Sequence, residues 1–234
     1  MERVTFGSES LPGFVVGPKG APGVIVLQEW WGITDEVKLQ AERLSRDGGF
    51  RCLVPDLYKG SLGVDMEEAG HLMSNLDFPQ AVKEIGEAAK FLKELEGSPK
   101  VGATGFCMGG ALTILSVGQI EDVCCGVPWY GIPQGFDAST VTKPVEGHFG
   151  ELDVQKGFSD AESARALEAA LIKGNPASKI YVYPGVGHAF MNADPVKPNI
   201  KEGVDVTTPF PARNAEVQDL AWKRMVDFLK ANCS

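Results

Sequence analysis

Histidine is scarce in this chain: His71, His148 and His188 are the three among 234 residues. Any chemistry that needs an imidazole must use one of them. Cysteine is sparse and scattered, at Cys52, Cys107, Cys124, Cys125 and Cys233. The number is odd and no C-x-x-C occurs, which predicts free thiols in a reducing compartment rather than a disulfide framework or a zinc site. No His/Cys grouping is visible that could hold a metal, so neither a metal nor an organic cofactor is expected. No apolar run approaches the ~20 residues that span a bilayer, and Met1 to Ser10 lacks the apolar core of a secretory signal. Cationic residues are outnumbered, 22 Lys and Arg against 31 Asp and Glu, a net charge of −9 that argues against nucleic acid or an anionic membrane as partner. These absences point to a cytoplasmic protein, expected as a monomer, with a small molecule as its partner.

What is present reads as an ordinary globular composition, 44% hydrophobic and 23% charged, long enough for a sizeable core. Short β-branched runs bounded by Gly and Pro predict strands at Phe14–Val16, Gly23–Leu27 and Cys52–Val54. Further strands are predicted at Lys100–Thr104, Val123–Tyr130, Val145–Gly150 and Lys179–Tyr183. Pro128 is expected to demote the end of Val123–Tyr130. Helical spacing of apolar residues predicts helices over Asp35–Gly48, Gln80–Leu95, Gly109–Val117, Ser159–Lys173 and Arg213–Lys230, with a short one near Glu67–Leu76. Alternating strands and helices predict one α/β domain over residues 1–234, a doubly wound, mostly parallel sheet covered on both faces.

Gly105-Phe106-Cys107-Met108-Gly109 has the form G-x-C-x-G between a predicted strand and a predicted helix. Such a turn projects its central side chain from the top of the sheet, and small flanking residues allow the close backbone approach. A thiol nucleophile needs a base. His71 has no acidic orienter placed by sequence, and His148 falls inside a strand, where backbone is expected to satisfy the ring. His188 lies in the Gly-rich loop Tyr183 to Phe190, past the carboxyl end of a strand, where open α/β sheets build their sites. An orienting carboxylate is expected between nucleophile and base in chain order. Asp153 is chosen, with Glu151 a competitor.

Four segments resemble the dienelactone hydrolase family of the α/β-hydrolase superfamily: Leu27-Gln28-Glu29-Trp30-Trp31-Gly32, Val54-Pro55-Asp56-Leu57-Tyr58, Gly105 to Gly110, and Gly187-His188-Ala189-Phe190. The resemblance implies an α/β-hydrolase fold and a Cys107–His188–Asp153 triad hydrolysing an ester or lactone. It also implies that Glu29 helps deprotonate the thiol, and that the backbone N–H groups of Trp30 and Met108 form an oxyanion hole. The family holds a substrate carboxylate with arginines and a tyrosine. At the corresponding places this chain has Asn192, Met66 and Gly70, and no arginine occurs between Arg51 and Arg165. A charge-assisted pair contributes about 1.5–3 kcal/mol, so carboxylated lactones are expected to lose an order of magnitude or more. Lys59, Lys197 and Lys201 are the candidates to substitute for those cations, and sequence does not place them. Trp30, Trp31, Phe190 and Met191 suggest an apolar pocket wall, or simply core packing. A thiol-based sensor and a weakly catalytic binding module on the same fold are the alternative readings.

Overall fold

A computed structural model describes residues 1–192 and 214–233 of the chain. Lys197 and Lys201 lie outside the described residues. The chain runs through β1 (Glu2–Phe6), β2 (Leu11–Val16), β3 (Gly23–Leu27), α1 (Asp35–Gly48), β4 (Arg51–Pro55), α2 (Met66–Asn75) and α3 (Phe78–Lys90), which a π-helical turn, Phe91–Leu95, continues. Then follow β5 (Val101–Phe106), α4 (Met108–Gln119), β6 (Val123–Trp129), β7 (Glu146–Gly150), α5 (Ala161–Gly174), β8 (Lys179–Tyr183) and α6 (Ala215–Cys233). Among the described residues the strands form one eight-stranded sheet in the order β1-β2-β4-β3-β5-β6-β7-β8, with the β1–β2 and β2–β4 pairs antiparallel and the other neighbouring pairs parallel.

The strand order contains the reason for the site's position. From β3 the chain moves one way, to β4; from β5 it moves the other way, to β6. Because βαβ crossovers are right-handed, reversal of direction sends α1 and α4 to opposite faces of the sheet. The two crossovers part between β3 and β5, which opens a crevice at their carboxyl ends. Leu27 of β3 pairs with Gly105 of β5. Glu29 and Cys107, each two residues further on, therefore flank that crevice.

Every residue of β3, β4 and β5 is buried, as the continuous apolar runs require of strands covered on both faces. Each Val, Leu or Ile so enclosed contributes about 1.5–3 kcal/mol. Helix α1 has the bounds its spacing predicts. Thr34 caps its start by accepting from Val37 N at 3.4 Å, and Gly49, at φ 75° and ψ 23°, ends it with an N–H bonded to Ser45 O.

Three expectations need correction. β1 was not predicted: Glu2 to Phe6 is an edge strand, mostly solvated, whose pattern is polar except for Val4 and Phe6. Pro128 does not weaken β6. Gly126 donates to Pro144 O and Tyr130 to His148 O, while Pro128 between them pairs with Gly105 and has no N–H to leave unmatched. His148 meets a side chain rather than backbone, and at one nitrogen only: its Nδ1 lies 2.9 Å from Tyr183 Oη, while the buried Nε2 has no hydrogen-bond partner among the described residues.

Candidate active site

Cys107 stands between β5 and α4 at φ 55° and ψ −116°, a conformation that costs a non-glycine residue about 1–3 kcal/mol. The surrounding backbone over-determines it. Cys107 N donates to Trp129 O at 3.0 Å, and Gly110 N donates to Cys107 O at 2.9 Å. The flanking glycines are steric necessities: a Cβ on Gly105 would stand 2.4 Å from Gly109 O, and one on Gly109 would stand 2.5 Å from Leu27 O. Met108, the first residue of α4, carries one of the four N–H groups that a helix start leaves without an internal partner.

His188 is buried, and its Nδ1 lies 2.8 Å from Asp153 Oδ2. That leaves Nε2 as the nitrogen for Cys107, to which the ring is also hydrogen-bonded. Asp153 follows the end of β7, its other oxygen accepting from Gln155 N at 3.1 Å. Glu151, the competing carboxylate, is exposed. Burial alone would depress the His188 pKa, but negative charge on Cys107 and the Asp153 contact outweigh it and push it up to about 10.

Glu29 is buried and its two oxygens accept from Asn192 Nδ2 at 3.2 and 3.1 Å. Burial raises its pKa from 4.5 to about 7, with Asn192 and His188 pulling the other way. The amide at Asn192 is thus turned to Glu29. Gln218 of α6 donates to Phe190 O at 2.6 Å and fixes the loop that carries both His188 and Asn192.

The remaining candidate residues fall elsewhere. Trp30 and Trp31 meet edge-on at 5.0 Å, and Trp31 packs on Ala69 of α2. The ring of Trp30 comes within 4.0 Å of where a Cβ on Gly70 would stand, so the tryptophan occupies the neighbourhood of one missing arginine. Met66 is exposed. Phe190 is core, with its ring 5.5 Å from Tyr130 and 5.6 Å from Tyr183. Lys59 gives its ammonium to Glu84 at 3.0 Å, in a cleft of about 300 Å³ lined also by Tyr58 and Leu76. His71 is exposed beside Glu67. The expectation that no cysteines cluster is overturned: Cys124, Cys125 and Cys233 place their sulfurs within 4.8 Å of one another.

Three further residues border the site. Ser159 Oγ lies 3.2 Å from His188 Nδ1, sharing that nitrogen with Asp153. Tyr130, at the end of β6, sets its buried ring edge-on to His188 with centroids 5.2 Å apart. Tyr58 donates its hydroxyl to Trp30 O at 3.0 Å and so holds the Glu29–Gly32 turn. The Asp-Leu-Tyr segment gave a signal for Tyr58; Ser159 and Tyr130 gave none.

A nucleophile-type turn on a doubly wound sheet, with a buried His–Asp pair beyond later strands, defines an α/β-hydrolase fold. The chain belongs to the dienelactone hydrolase family, whose model matches residues 11–233, and it is a hydrolase of that family. It is similar to Protein usf of Aquifex pyrophilus, 33% identical over 231 residues that cover 93% of this chain and 92% of that protein. An Aquifex aeolicus relative, 30% identical with the same coverage, carries a provisional carboxymethylenebutenolidase name. Among solved structures, a dienelactone hydrolase-like promiscuous phosphotriesterase from metagenomic libraries superposes with a TM-score of 0.79 at 21% identity, covering 100% of this chain and 98% of that one.

Proposed function

We propose that this hydrolase cleaves a carboxylic ester or lactone through an acyl–thiol intermediate on Cys107. The observation that carries the reading is the His188 ring held between Asp153 and Cys107 beside the strained turn. The Cys107 sulfur attacks the carbonyl carbon with its proton already held by His188 at Nε2, as the raised pKa of that ring requires at neutral pH. The N–H groups of Trp30 and Met108 receive the oxyanion. Collapse breaks the acyl–oxygen bond, and the leaving alkoxide, or the opened end of a lactone, takes the proton from His188. Water then attacks the thioester, giving its proton to His188. The acid departs, and the proton stays on His188 beside the Cys107 sulfur.

Asp153 fixes the tautomer and orientation of His188. Glu29, with a pKa near 7, exchanges its proton at neutral pH and acts as an auxiliary base toward the thiol. The lactone half of the reading is supported by the family name and by the name of the Aquifex aeolicus relative. A neutral substrate is favoured, because Lys59 is paired with Glu84 and Asn192 with Glu29.

The test is turnover of aryl esters and unsaturated lactones by the wild type, Cys107→Ala and His188→Ala. Each variant is expected to lose at least about 10³-fold in kcat. Turnover that survives in both would sink the triad.

A further inference from the structure

At the opposite, amino-terminal edge of the sheet lies a second constellation of sulfur. Neighbouring residues of a strand normally point to opposite faces, so Cys124 and Cys125 of β6 should diverge. They do not, because the ladder between β5 and β6 slips by one residue: Val101 pairs with Val123, but Ala103 pairs with Gly126. Cys124 and Cys125 together oppose the single residue Gly102, which is a β-bulge. The last turn of α6 brings Cys233 to the same point. The Sγ–Sγ separations are 3.9 Å (Cys124–Cys125), 3.7 Å (Cys124–Cys233) and 3.4 Å (Cys125–Cys233). Gly102 makes the space: a Cβ there would stand 2.8 Å from Cys233 Sγ and 3.1 Å from Cys125 Sγ.

We propose that Cys124, Cys125 and Cys233 form a trithiolate site for a thiophilic d¹⁰ ion, Zn(II) or Cu(I), separate from the hydrolytic centre. Ions of this kind are selected by thiolate ligands. A tetrahedral ion with Zn–S near 2.3 Å needs sulfurs about 3.8 Å apart, and a trigonal one about 4.0 Å. The 3.4 Å Cys125–Cys233 separation must open the most, by about 0.4 Å for the tetrahedral ion and about 0.6 Å for the trigonal one, and the other two change by less. Cys125 and Cys233 are buried and Cys124 is half-buried, so the ion has two enclosed ligands and one at the entrance. The Lys100 ammonium attracts negative charge on Cys124 and Cys233, and the Asn232 carbonyl lies 3.7 Å from Cys124 Sγ at the rim. Binding converts three thiols and one ion to the trithiolate and releases three protons to solvent, with no electron transferred.

The test titrates the reduced full-length chain, anaerobically, with Zn(II) against a chromogenic chelator and separately with Cu(I) against a Cu(I)-specific one. Both are repeated in Cys107→Ala to remove the active-site thiol from the count. One equivalent of at least one ion should bind in both proteins and shield three thiols from iodoacetamide. Cys124→Ala removes the rim ligand with little disturbance of the core, and should weaken binding at least about tenfold while its unfolding temperature without metal stays that of the wild type. Failure of both ions to bind stoichiometrically overturns the site. So does binding that Cys124→Ala and Cys233→Ala leave unchanged, or binding that disappears in Cys107→Ala.

Discussion

His148 and His188 are both buried, and their protonation is driven in opposite directions. Around His148 the ring lies stacked 4.2 Å from Trp129 and 5.9 Å from Tyr183, with a neutral hydroxyl at Nδ1. Burial lowers its pKa; Glu146, 3.5 Å from Nε2, opposes that shift, and Arg224 adds to it. Around His188 burial acts in the same sense but loses to Cys107 and Asp153. Burial removes water from both rings; the charged partners decide what replaces it. One ring is a flat packing piece inside β7, and the other, in the mechanism we propose, carries the proton at the sheet edge.

The largest test of that contrast is kinetic. His188→Gln should reduce kcat at least about 10³-fold, whereas His148→Gln should leave it within about tenfold, since its losses fall on packing and one neutral hydrogen bond. Equal losses would mean that His148 belongs to the chemistry. The titration has a definite sign. A histidine raised from 6.5 to about 10 gives stability that is complete below about pH 6.5 and is lost as pH rises to about 10. Denaturant unfolding followed over that range should show this loss in the wild type and less of it in Cys107→Ala, where the attracting charge is gone.

Glu29 supplies the next effect, in another pH window. Its pKa is raised, so folding favours the protonated form and stability falls as pH climbs from 4.5 to about 7. The shift corresponds to a destabilisation of up to about 3 kcal/mol above pH 7. Glu29→Gln keeps an acceptor for Asn192 and removes the buried charge. It should raise stability by up to about 3 kcal/mol at pH 8, gain nothing at pH 4, and lose turnover. A carboxylate that can be removed with a gain in stability and a loss of rate is a functional group held against the fold's preference. No change in unfolding at pH 8 would show instead that Glu29 is well solvated.

Legibility in the sequence follows the range of the interaction. Helix α1 could be read to its bounds because periodicity, cap and terminating glycines are all local. The turn at Cys107 could be read because its glycines form a contiguous pattern, even though Gly109 answers a contact with Leu27 of the distant strand β3. Asp153 could be preferred to Glu151 from chain order and loop length, and the structure brings Asp153 to His188. The thiol cluster could not be read. Two adjacent strand cysteines imply divergence, and only the bulge opposite Gly102 turns them together, toward a residue 108 positions from Cys125. Asn192 stands where the family has an arginine, and its partner in the fold, Glu29, lies 163 positions away, beyond what local sequence could name.

Ser159 gives the smallest and finest test of the histidine comparison. It precedes the Asp160 cap of α5 and is wholly buried, so sequence offers only a helix-start serine. Its Oγ stands 3.2 Å from the nitrogen that meets Asp153 at 2.8 Å, and the shorter contact to the charged acceptor governs the ring. Ser159 then limits rocking of the imidazole about that contact and does not define its proton. Ser159→Ala should lower kcat by no more than about tenfold, the worth of one neutral hydrogen bond, and leave the His188 titration seen by NMR near its wild-type position. Asp153→Asn should lower both the rate and the titration midpoint. If Ser159→Ala moved the midpoint as far as Asp153→Asn, the serine would share the electrostatic role, and the proton carrier would be held by a dyad of acceptors rather than by one carboxylate.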